Sequence, residues 1–167
     1  MALVKKIGKY KVSKRDATLS FRSDYNAGKN AIIGGRKKVV NANNDAAVSE
    51  TLTEEEYPSG TVFSLDMNAA TNDIAYTLPA LTVGLEYTFL VSTTAGSGVT
   101  LTISAPSAVL EGSAMCDNGQ EDISGTNFLI QTGSKAELGT QINVISDGTL
   151  WYMKAFCKCT TADVVTS

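Results

Sequence analysis

The side chains best suited to chemistry in this chain are three cysteines, two of them at i and i+2 in Cys157-Lys158-Cys159. On an extended strand that spacing points both thiols to one face, and Cys116 would complete a soft-metal set if it folded alongside. A structural zinc site ordinarily takes four ligands with paired C-x2-C spacing, and neither is present. The three are therefore read as free thiols that pack as small hydrophobes, with no metal and no cofactor. The chain has no histidine. That removes Ser-His-Asp and Cys-His catalysis within one chain, and every His-containing metal set. Ala27-Gly28-Lys29-Asn30 has the Gly-Lys of a phosphate loop, but neither its upstream glycine nor the hydroxyl residue after the lysine. Glu54-Glu55-Glu56 beside a turn reads as solvated surface, and Asp117, Glu121 and Asp122 lack the spacing of a calcium loop. No catalytic residue is expected, and the chain reads as a non-enzyme.

Charge is the stronger signal. The first forty residues carry Lys5, Lys6, Lys9, Lys11, Lys14, Arg15, Arg22, Lys29, Arg36, Lys37 and Lys38 against two acids, a local net charge of +9. From position 41 onward three lysines face fifteen carboxylates, a net charge of −12. A basic arm on an acidic body is expected to lie on an anionic surface of protein, nucleic acid or lipid. Tyr10, Phe21 and Tyr25 are interleaved with the cations and suit either base stacking or anchoring in a protein pocket. Ile32 and Ile33, with Val39 and Val40, add short apolar patches. The cations, the three aromatics and Ile32 and Ile33 together form the candidate partner-binding set. A nucleic-acid binder should carry positive charge on its folded body too, and this body is negative, so a protein partner is preferred.

The elements that must position these residues are strands. Hydrophobic residues make up 43% of the chain, enough for one core, while Thr, Ser, Gly and Asn mark frequent turns. Leu85, Tyr87, Phe89 and Val91 share one face with Glu86 and Thr88 on the other, and Val99, Leu101 and Ile103 alternate with Thr and Ser, which predicts a hairpin across residues 92–98. Asp147-Gly148 between two apolar runs predicts a second hairpin with a two-residue turn, followed by a strand burying Trp151 and Met153. Residues 46–56 hold a possible helical turn, and 112–125 read as a long polar loop. The expected fold class is all-β, a small antiparallel β-sandwich or barrel-like body with an extended basic N-terminal arm. Residues 1–56 are expected to form the arm and linker, 57–159 the body, and 160–167 a frayed polar tail. No period of twenty to fifty residues recurs, so no repeat architecture is expected. No run is long enough for a membrane span, and the start lacks a signal-peptide core, which predicts synthesis in a cytosol.

Residues 76–91 (Tyr76-Thr-Leu-Pro-Ala through Phe89-Leu-Val91), then 99–104, then 142–153 with Asp147-Gly148 and Trp151, resemble a pattern in tailed-bacteriophage virion proteins. It is similar to the decoration (cement) proteins of marine and cyanobacterial phages, and to head- and tail-fibre modules. The resemblance covers positions 76–153 and excludes the basic arm. It implies a capsid-surface protein, commonly a homotrimer at local threefold axes, that binds the major capsid protein and stabilises the shell against packaged DNA. A modest apolar content suggests that the monomer core is small and that oligomerisation supplies the rest. The alternative is a receptor- or glycan-binding fibre module, with Tyr57, Tyr76, Tyr87, Trp151 or Tyr152 lining a carbohydrate platform.

Overall fold

Short alternating runs broken by Gly, Pro, Asn and Asp favour strands over helices, and the computed structural model is nearly all β. It describes residues 37–43, 46–68, 72–107, 109–130 and 135–167, with position 43 and residues 5–7 and 10–12 described by backbone alone. The chain divides into two units, Met1–Arg36 and Lys37–Ser167. In the first, β1 (Lys5–Ile7) and β2 (Tyr10–Val12) pair antiparallel with Lys6 opposite Lys11, a hairpin that the weak periodicity of the arm does not predict.

The second unit opens with β3 (Val39–Asn43), β4 (Val48–Thr51), β5 (Thr61–Asp66), β6 (Ile74–Thr77), β7 (Glu86–Thr93) and β8 (Leu101–Ser104). The chain changes sheet at every connection: β3, β5 and β7 are neighbours in one sheet, and β4, β6 and β8 in the other. Within each set all pairs are parallel. Val39 lies beside Val62 and Val62 beside Thr88, while Val48 lies beside Ile74 and Ile74 beside Leu101, a winding with a pitch of about 25 residues, as in a solenoid.

This corrects two expectations. The two sheets are mixed, not antiparallel throughout, and the strands flanking residues 92–98 are not a hairpin, because β7 and β8 belong to different sheets. The structural repeat leaves no sequence repeat because each turn needs only apolar residues at alternate inward positions, and the loops between strands differ in length.

The remaining strands are β9 (Leu110–Cys116), β10 (Gly119–Gly125), β11 (Asn127–Ile130), β12 (Gln141–Ser146), β13 (Trp151–Phe156) and β14 (Val164–Thr166), with a short 3-10 turn at Thr161–Asp163. They extend the sheets to the orders β10-β9-β13-β12-β7-β5-β3 and β14-β11-β8-β6-β4. β12 and β13 form the hairpin foreseen at Asp147-Gly148. Its tight turn is shifted by one residue, since the Asp147 amide donates to the Leu150 carbonyl, and Gly148 takes a left-handed φ of 93°.

Residues 112–125, expected as loop, are mostly the antiparallel pair β9/β10, whose polar residues face outward and conceal the strands. The possible helical turn at 46–56 is strand β4 followed by a turn. The body starts at Lys37, not Tyr57, because β3 and β4 are edge strands of the two sheets. The tail is not frayed: β14 pairs with β11, and the Thr126 and Asn127 amides donate to the Ser167 carbonyl.

The two sheets enclose one core. Phe63 and Phe89 are register partners on β5 and β7 and stack at 5.0 Å and 14°, with Tyr57 and Tyr76 tilted against Phe63 at 5.2 and 5.0 Å. Tyr87 links this group to Trp151, which is fully buried. Ile74, Leu101, Ile103, Phe128, Ile130, Ile142 and Val144 continue the same cluster. The core is therefore continuous within one chain, and the expectation of an undersized monomer core does not hold. Among the described residues no helix is long and apolar enough to cross a membrane.

Candidate functional site

The alternation that buries Trp151, Met153 and Ala155 on β13 runs on past the strand, so that Cys157 and Cys159 are also buried and Lys158 is exposed. β9 lies parallel to β13, with Met115 beside Phe156, which brings the end of β9 next to Cys157. The ladder then opens. The Cys157 amide donates to the Met115 carbonyl at 2.8 Å, but the Asp117 amide reaches the Cys159 carbonyl, at 2.9 Å. In a regular parallel ladder that acceptor would be Cys157 itself. The bulge places both residues of the Cys-x-Cys pair against Cys116, and the three sulfurs lie within 4.8 Å of one another.

Cys116 is half-buried and marks the side open to solvent. The neighbourhood is held by the β9/β10 turn. Asn118 Oδ1 accepts from the Thr161 amide at 2.7 Å, and Asp163 accepts from the Thr160 amide and hydroxyl at 2.9 and 2.6 Å. Lys135 lies 3.3 Å from Asp163. Hydrogen bonds from Cys157 and then Cys116 hold the Cys159 thiol below the ordinary thiol range, opposed by burial and by the charges of Asp163 and Asp117. Cys157 is pushed up by its hydrogen bond to Cys159 and by burial. Burial, then the charge of Cys159, pushes Cys116 up to about 11. Of the three, Cys159 is thus the thiol that gives up its proton most readily.

The sequence set one condition for a shared thiol site, that Cys116 fold beside the Cys-x-Cys pair, and the structure meets it. The signal was partly visible in the i, i+2 spacing. What hid it was the reading of 112–125 as loop, which left Cys116 without a position. Among the described residues these thiols are the one group of three or more His, Cys, Asp or Glu side chains close enough to share an ion, so the acids at 117, 121 and 122 form no calcium set.

Of the candidate partner-binding residues, Lys5, Lys6, Tyr10 and Lys11 lie on the β1/β2 hairpin. Lys9, Lys14, Arg15, Phe21, Arg22, Tyr25, Lys29, Ile32, Ile33 and Arg36 fall outside the described residues. Lys37 and Lys38 contact the body itself. Lys37 pairs with Glu86 at 3.7 Å, while Lys38 donates to the Glu56 carbonyl at 2.6 Å and sits over the Tyr57 ring, 4.7 Å from its centroid.

The aromatic platform fails as proposed. Tyr57, Tyr76, Tyr87 and Trp151 are core residues, 7%, 1%, 0% and 0% exposed. Tyr57 donates to Glu50, and Tyr87 donates to the Tyr57 carbonyl. Tyr152 is exposed, on the outer face of the long sheet, and donates to Asp147. Beside it a shallow recess of about 260 Å³ is lined by Glu86, Asn143, Ile145 and Lys154. No family model, curated protein or solved structure matches this chain.

Proposed function

We propose that this protein is a non-catalytic structural component that attaches to an acidic protein surface through its basic N-terminal segment. In keeping with its resemblance to tailed-phage decoration proteins, the surface is the outside of a phage capsid and the role is to stabilise the shell. The observation that carries this reading is the split between the two units. The folded unit begins at Lys37 with its own closed core, so nine of the eleven N-terminal cations lie outside it. A cationic stretch that the body does not need for its sheets, on a body carrying fifteen acids, supports electrostatic attachment to a partner.

A second copy of the chain is the other proposed partner. The case for it is the outer face of the long sheet, where Ile145 opposite Tyr152 and Phe156 beside Met115 remain exposed. A homotrimer would cover them. Light scattering of the body, alone and with Tyr152→Glu and Phe156→Glu, tests this. A wild-type trimer dispersed by the substitutions supports it, and a wild-type monomer at micromolar concentration overturns it.

Attachment is tested by co-sedimenting full-length protein and a chain lacking residues 1–36 with capsids. The cut spares β3, which begins at Val39. Full-length protein should bind at ~0.15 M salt and weaken toward ~0.5 M, and the truncated chain should stay folded but unbound. Equal occupancy by both chains would defeat the reading. So would submicromolar binding to duplex DNA at ~0.15 M salt, where a few phosphate contacts on an acidic body should give little affinity.

A further inference from the structure

We propose that Cys116, Cys157 and Cys159 form a binding site for one thiophilic metal ion, Zn²⁺ or a similarly soft cation, that staples the C-terminal segment to the β9/β10 hairpin. The geometry is close to that of a bound state. With metal–sulfur bonds of about 2.3 Å, three ligand sulfurs stand about 3.8–4.0 Å apart, and here all three already lie within 4.8 Å. Movements of a few tenths of an ångström per side chain would seat an ion.

Packing alone does not account for the arrangement. A small buried hydrophobe is satisfied by apolar neighbours, yet here three thiols from two distant stretches of chain meet at one point. They do so where the β9/β13 ladder skips two residues, the Asp117 amide passing over Cys157 to reach the Cys159 carbonyl. The break is what brings Cys159, together with Cys157, against Cys116.

The donor set selects the ion. Three sulfurs and no imidazole suit soft cations and disfavour Ca²⁺ and Mg²⁺. No carboxylate joins the thiols within the 4.8 Å group, so a Zn²⁺ ion would complete its tetrahedron with a water on the half-buried Cys116 side. Each sulfur that binds gives its proton to solvent, and no oxidation occurs. Such an ion would tie the end of β9 to the stretch leading into the Thr161–Asp163 turn and β14, already in contact through Asn118 and Thr161. The site is independent of the attachment reading, since none of its residues lies in the N-terminal segment.

The test is anaerobic titration of the reduced full-length protein with Cd²⁺, followed by the thiolate-to-cadmium ultraviolet band, then Zn²⁺ competition. One equivalent should bind, with a band intensity of three thiolates, and Zn²⁺ should displace it. Cys116→Ser, which keeps the Cys-x-Cys pair, should lower the affinity at least 10-fold and the band to two thiolates. Thermal melts of the wild-type chain give a readout that does not depend on the variant folding. Added Zn²⁺ should raise Tm and a chelator should reverse the rise. A Tm indifferent to both, an affinity unchanged in Cys116→Ser, or a band of fewer than three thiolates in the wild type would each overturn the proposal. Rapid formation of a Cys–Cys disulfide that metal does not prevent would overturn it as well.

Discussion

The winding β3–β8 and the C-terminal strands β9–β14 use the same alternating pattern but close in different ways. In the winding every pair is parallel and its partners are about 25 residues apart, so inward side chains fall in register and stack, Phe63 on Phe89 being the clearest case. In the C-terminal part the hairpins β9/β10 and β12/β13 are local, and one long-range parallel pair, β9/β13, joins them. There the decisive contacts are backbone approaches. Gly112 lies against Met153, and the ladder opens at Cys157–Cys159. The winding should therefore be sensitive to lost side-chain volume, and the C-terminal part to lost backbone clearance.

The largest effect should come from Phe63→Ala. Phe63 is fully buried among four aromatic rings, and its truncation should cost about 3–5 kcal/mol. Urea melts should show a lower midpoint with an unchanged slope. A loss under about 1 kcal/mol would break the claim that stacked volume stabilises the winding.

Next comes Gly112→Ala. A Cβ there would lie 1.9 Å from the Met153 carbonyl oxygen, a backbone atom that cannot turn aside. The expected loss is about 1–3 kcal/mol, with faster amide exchange at Cys157, the β9/β13 hydrogen bond nearest the thiols. Gly84→Ala sharpens the contrast: no atom lies within 4 Å, and only its φ of 82° is strained, so the loss should stay near 1 kcal/mol.

A smaller effect appears with alkali. Burial pushes the phenols of Tyr76 and Tyr87, both in the winding, up to about 12, with lesser contributions from Glu50 and Glu54 respectively. Folding then favours their neutral forms. The stabilisation is complete below the ordinary phenol value of about 10 and is lost as pH rises toward 12. Urea midpoints should fall across that window, and Tyr76→Phe should reduce the slope. Identical slopes in the two chains would contradict this account.

The smallest effect belongs to the β12/β13 turn. Asp147 is held well below the usual carboxylate range by hydrogen bonds from the Thr149 hydroxyl, the Leu150 and Thr149 amides and Tyr152. Its contribution is present above about pH 4 and is lost as pH falls through the depressed value. Asp147→Asn should flatten the acid limb of the stability curve slightly and speed exchange at Leu150, leaving the winding untouched. Altered exchange in β5 or β7 would show that the two regions are not separate.

Alternation within single strands was determined by the sequence alone. Tyr87, Phe89 and Val91, then Leu101 and Ile103, and finally Trp151 and Met153, are inward where their period-2 pattern puts them. The β12/β13 hairpin was legible too, because an Asp-Gly turn and its flanking strands are one continuous stretch. Which strand lies beside which was decided only by tertiary structure. The same alternation at 85–91 and 99–104 fits a hairpin and a change of sheet equally well, and the second buries both apolar faces against one another across the core. β9 and β10 escaped notice because an edge pair with a polar outer face has little apolar contrast. The thiol site follows the same division. The i, i+2 spacing put Cys157 and Cys159 on one side of the chain, whereas the third sulfur arrived through a parallel pairing of residues some forty positions apart, which local pattern does not encode.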